Sequence, residues 1–149
     1  MSWDGFDEQA YILSEEGLGG LLGGRVWEIQ VPPDVTLKEV RGEIPPYATV
    51  NFGTPIAFTP GGRSDKTFAS TEKDQSHLMS IQVYVHASSA ATLRTASRAV
   101  LNKLVGMVPN PSGRGNEISA QGGPVLPQVD KDGKVIRLTR AIHAQLVVS

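Results

Sequence analysis

The side chains able to do chemistry are few and scattered along this sequence. The histidines are His77, His86 and His143, and neither His-x-x-x-His nor Glu-x-x-His occurs, the spacings that set two metal ligands on one helix face. His86 and His143 fall on the more polar faces of two alternating stretches, so a shared metal would require those stretches to be neighbouring strands. Only His77 has a carboxylate, Asp74, close in sequence. Surface or interface histidines are the expected reading, with no metal and no cofactor. Asp130-Lys131-Asp132-Gly133 opens like a calcium loop but lacks the acidic residue that closes such a site, so a hairpin turn is expected. Gly17–Gly24 (GLGGLLGG) has the glycine density of an anion-cradling loop. However, no strand precedes it, no Lys-Ser or Lys-Thr follows, and its glycines miss the dinucleotide pattern. It reads as a flexible helix stop that lets backbones approach closely. Cysteine is absent, no Gly-x-Ser-x-Gly elbow appears, and the serines lie in caps and polar loops. With no nucleophile and base in view, no enzyme is expected.

The stretch His77–Gly106 must position most of the rest. From Leu78 to His86, Met79, Ile81, Val83 and Val85 point one way while Ser80, Gln82, Tyr84 and His86 point the other. That period of two marks a strand with one buried face. Ser88 or Ser89 can cap the following helix. Leu93, Ala96, Val100 and Leu104 recur at helical spacing, with Leu101 and Val105 in support, and Arg94, Arg98, Asn102 and Lys103 fall largely opposite. Lys103 suits the negative end of the helix dipole, and Gly106 suits the C′ position. One helix laid across one sheet face is the expected core.

Around this unit, Asp4–Glu16 reads as a first helix, with Phe6, Ala10 and Leu13 at i, i+4 and i+7 and Asp7 and Glu8 near its positive end. Arg25–Val31 reads as a short strand with Trp27, Ile29 and Val31 on one face, ended by Pro32-Pro33. Pro45-Pro46 leads extended into a strand Tyr47–Phe52, which Thr54–Thr59 continues after a bulge at Gly53-Thr54-Pro55. Val125–Val129 and Lys134–Val148 flank Asp130–Gly133 as a final hairpin. In its last strand Ile136, Leu138, Ile142, Ala144, Leu146 and Val148 share a face that Arg140 interrupts, and its length predicts a bend or a projecting tip. The expected class is α+β: a twisted, mainly antiparallel sheet with two main helices packed against it and long projecting loops, as one domain over residues 1–149.

Composition narrows the function classes. The 149 residues carry a net charge of −1, without the basic surplus of a generic phosphate binder, and no apolar run is long enough for a membrane span. Absent cysteines fit a reducing compartment, and the N-terminus lacks the features of a signal peptide. The two segments too long for ordinary connectors are Pro60–Ser76 and Met107–Gly123, the latter with a brief strand expected near Glu117–Ala120. The flanks of Pro60–Ser76 look like antiparallel strands, so it is expected to project as a hairpin arm. Arg63, Lys66 and Lys73 could touch a nucleic-acid backbone, but Asp65, Glu72 and Asp74 nearly cancel them and Phe68 is a lone stacking residue. Ordering against another protein suits such an arm better. The candidate protein-interface residues are therefore Arg63, Asp65, Lys66, Phe68, Glu72, Lys73 and Asp74, with Arg114 and Glu117 in the second segment. Trp27, Tyr47 and Tyr84 could anchor an interface, although sheet-core packing is the first expectation for each.

The order of landmarks carries a resemblance. An N-terminal helix runs into Gly24-Arg25-Val26-Trp27 and Val31-Pro32, followed by Pro46-Tyr47-Ala48-Thr49-Val50. After a polar loop, Ser80-Ile81-Gln82-Val83-Tyr84-Val85 leads through Ala87-Ser88-Ser89 into a helix ending Leu101-Asn102-Lys103-Leu104-Val105-Gly106, and Lys134–Val148 closes the chain. From about Ala10 onward this pattern resembles the tail terminator proteins (tail completion, or head–tail joining, proteins) of long-tailed bacteriophages. The segment Met107–Gly123 is longer than that pattern has. The resemblance implies an α+β subunit of a hexameric ring, made in the host cytoplasm and built into the virion. Such a ring caps the last ring of tail-tube protein, stops tube growth and meets the head connector or stopper, while DNA passes through without specific binding. Other readings are another joining component, an adaptor or stopper, and a small hydrolase or ligand-binding domain using a pocket beside the central helix.

Overall fold

The computed structural model describes residues 4–38, 41, 43–58, 76–109, 116–121, 128–132 and 135–148. The central strand, β4 (Ser76–Ala87), is flanked by β2 (Tyr47–Phe52) and β3 (Ile56–Phe58) along one edge and by β7 (Val135–Val148) along the other, all antiparallel to it. β1 (Val26–Glu28) adds to β2 in parallel, and β5 (Ser119–Ala120) and β6 (Gln128–Asp132) pair with β7, completing a seven-stranded sheet. The class is α+β, with α1 (Phe6–Leu13) and α2 (Ala90–Leu104) against the sheet.

Alternation in β4 decides which face the helices take. Met79, Ile81, Val83, Val85 and Ala87 are fully buried in one apolar cluster with Leu93, Ala96, Val100 and Leu104 of α2, and Gln9 of α1 donates to the Met79 sulfur at 3.3 Å. Ala48 and Val50 of β2 and Ile142, Ala144 and Leu146 of β7 extend the same apolar layer through their register with β4. Ser89 caps α2, its Oγ accepting from the Thr92 N–H at 3.2 Å, and Gly106 follows the helix at φ +88°, a conformation that costs glycine little. Leu101 and Val105 depart from expectation: each is 40% exposed, and Ser97 takes the buried position between turns.

Elsewhere the sheet trims the expected strands. β1 ends at Glu28 because Ile29 takes φ +68° and the Gln30 N–H donates back to the Glu28 carbonyl at 2.7 Å. That three-residue turn leaves Ile29 68% exposed, so the expected face of Trp27, Ile29 and Val31 does not form. Between Phe52, opposite Ile81, and Ile56, opposite Leu78, residues 53–55 face only Met79 and Ser80, which is the expected bulge. Asp130–Asp132 pair with β7 rather than form a turn: Asp132 opposes Val135, so only Gly133 and Lys134 connect the two strands. Val135–Arg137 extend past the end of β4 and pair only with β6, which makes them the projecting tip of β7. The glycine-rich stop after α1 carries Leu18 into the core, and a Cβ at Gly17 would meet the Tyr11 and Ile12 carbonyl oxygens.

Candidate protein-interaction surfaces

The face of the sheet opposite the helices is polar and aromatic. Register sets Tyr47, Thr49 and Asn51 of β2 against His86, Tyr84 and Gln82 of β4. Tyr47 stacks on His86 with ring centroids 4.5 Å apart and planes 21° apart, and Trp27 tilts towards Tyr47 at 6.2 Å. His86 Nδ1 lies 2.9 Å from Thr139 Oγ1, and its Nε2 lies 3.4 Å from Thr49 Oγ1. Arg137 donates to the Tyr47 hydroxyl at 3.2 Å, and the Tyr84 hydroxyl donates to Gln82 at 3.0 Å. These contacts clamp β2, β4 and β7 together. A hydroxyl can donate or accept, so the clamp works with either imidazole tautomer. Trp27, Tyr47 and Tyr84 thus leave the helix-packed core, though Tyr47 is only 4% exposed. Alternation set Tyr47 and Tyr84 apart from the buried residues of their own strands but did not do so for Trp27, and pairing across strands could not be read from it.

β4 and β7 are neighbours, as a shared histidine metal would require, but the register keeps the histidines apart. His143 opposes Gln82 while His86 opposes Thr139, an offset of four residues, or about 13 Å along a strand. Among the described residues no three or more His, Asp or Glu side chains come together as a metal site would need. His77 is buried rather than on the surface.

The expected arm falls between two paired strands: Phe58 opposes Ser76 and Ile56 opposes Leu78. Arg63, Asp65, Lys66, Phe68, Glu72, Lys73 and Asp74 lie outside the described residues, as does Arg114. Glu117 is exposed beside the fully buried Ile118, which exchanges backbone hydrogen bonds of 2.8 Å with Gly106 and Met107. The second long segment is therefore tied to the end of α2 and, through β5 at Ser119–Ala120, to β7. Sequence reasoning overlooked Ile118 because an isolated apolar residue between polar ones has no period.

The helix layer presents a further surface. Asp7, Ala10, Tyr11, Ser14, Glu15 and Glu16 line a shallow depression of about 540 Å³ on α1. Among the described residues no helix is long and apolar enough to cross a membrane.

No family model matches this chain, and no curated protein does. Among solved structures it is similar to a chain described as "Virion of native gene transfer agent (GTA) particle", at 20% identity and TM-score 0.49, over 95% of this chain and 92% of the other. A likeness at that level carries no argument about role.

Proposed function

We propose that this chain is a structural subunit of a phage-type virion, a tail terminator whose copies form a hexameric ring on the tail tube, stop its growth and join it to the head connector. The observation that supports this most is the arrangement of the elements bearing the resemblance. β2 lies beside β4, β4 passes through the Ser89 cap into α2, and β7 pairs with β4 from His77 to Ala87. The two sheet margins differ, with β1 at one and β5 and β6 at the other. Unlike margins suit head-to-tail association, in which a patch on one copy meets a different patch on the next and the chain of contacts closes into a ring. On this reading the molecule acts through shape and contact rather than through reactive groups. Its partners are its own copies, the tube protein and the head connector or stopper, and DNA passes through the ring without specific binding.

The segment between β3 and β4 gives the test. Deleting Arg63–Asp74 leaves Thr59, Pro60, Gly61, Gly62 and Gln75 to join Phe58 to Ser76, a length that closes an antiparallel pair. The expected result is a folded protein that no longer assembles with tube protein. An unfolded product would count against a peripheral arm, and unimpaired tube capping against its role. Electron microscopy of particles lacking the protein separates termination from the adaptor and stopper readings, since only loss of a terminator gives overlong tails.

A further inference from the structure

The two helices divide charge between them. Asp4, Asp7, Glu8, Glu15 and Glu16 surround α1 without a cation, whereas α2 carries Arg94, Arg98 and Lys103 without a carboxylate. Arg94, Arg98, Leu101 and Val105 stand at i, i+4, i+7 and i+11, which helical geometry gathers into one narrow outward stripe, and all four are exposed. Asp7 and Tyr11 stand one turn apart on α1, and Glu15, just past the helix end, lines the same shallow depression. Among the described residues no ion pair joins these charges within the chain. α1 packs near β1, while α2 packs over β4 and β7, so the acidic stripe lies nearer one sheet margin and the basic stripe nearer the middle and the other margin.

We infer that these stripes are the two halves of one contact between copies: α2 of one subunit docks on α1 of the next, Arg94 and Arg98 entering the depression beside Asp7, Tyr11 and Glu15. The occupant is a second copy of this chain, chosen by charge, and the inference rests on the ring reading. Two α1 faces repel each other, as do two α2 faces, so the stripes disfavour contact between like helices and favour α1 of one copy against α2 of another, which on the ring reading repeats head to tail. Exposed ion pairs are individually weak. The aliphatic stripe of Leu101 and Val105 therefore supplies apolar area, while the charges set partner and register. This also accounts for two large apolar residues on the outer face of α2.

The experiment uses the full chain in three forms: wild type, R94E/R98E and D7K/E15K, with fold checked by circular dichroism and mass by light scattering. Wild type is expected as a ring, and each double variant alone as monomers. Mixed one to one, the variants are expected to regain rings, because every contact then joins unlike charges. Rings that survive either reversal, or a mixture that stays monomeric, overturn the contact while the wild-type ring stands. Reversals that spare the ring and abolish only tube-protein binding assign the face to that partner and also overturn it. A wild type monomeric at all concentrations overturns the contact and the ring together.

Discussion

Ile81 and Leu101 are both large aliphatics that the sequence pattern assigns to the core, and replacing each by alanine should separate them. Ile81 is 0% exposed at the centre of β4, opposite Phe52 of β2 and Ala144 of β7. Truncating isoleucine to alanine removes three carbons, or about 2.4 kcal/mol of transfer free energy at about 0.8 per carbon. The cavity adds to this, because Ala144 is too small to fill the space, and the total should be about 3–4 kcal/mol. For a chain of this size that lowers the melting temperature by roughly 6–16 °C. Leu101 loses the same number of carbons but is 40% exposed on the outer side of α2, so Leu101→Ala should cost below about 1 kcal/mol. Urea unfolding at one fixed protein concentration measures both, in the R94E/R98E background so that assembly adds no stability of its own. An Ile81→Ala cost below about 1 kcal/mol would refute the buried face of β4, and equal costs at the two sites would refute the outward placement of Leu101 on α2.

Two other substitutions test the local chemistry. Ser89→Ala removes the acceptor for the Thr92 N–H at the start of α2 and should cost about 1 kcal/mol by urea unfolding, while Ser89→Asp, which keeps a capping oxygen, should cost less. Tyr47→Phe keeps the ring on His86 but removes the hydroxyl that accepts from Arg137, for an expected loss of about 1 kcal/mol, whereas Tyr47→Ala also loses the stack and should cost about 3 kcal/mol or more; equal losses would mean the ring contributes nothing.

Local pattern was sufficient wherever one face of an element meets an apolar layer. The alternation in β4, the four buried positions of α2, the Ser89 cap and β2 at Tyr47–Phe52 all follow from periods of 2 and 3.6 residues and from capping chemistry, which neighbours in sequence determine. What depended on distant residues was not readable in the same way. The buried Ile118 strapped to the end of α2, the continuation of β6 through Asp132 and the offset that separates His86 from His143 depend on which strands and segments meet and in what register. Leu101 and Val105 make the same point for a helix: their spacing admits them to the edge of the buried stripe, but Leu93, Ala96, Ser97, Val100 and Leu104 fill it and leave both exposed. The sequence by itself determined the elements and the apolar face of each, because those rest on short-range periodicity. Only the tertiary structure decided which polar faces came together and which charges, among the described residues, form no ion pair, because those depend on contacts between residues far apart in sequence.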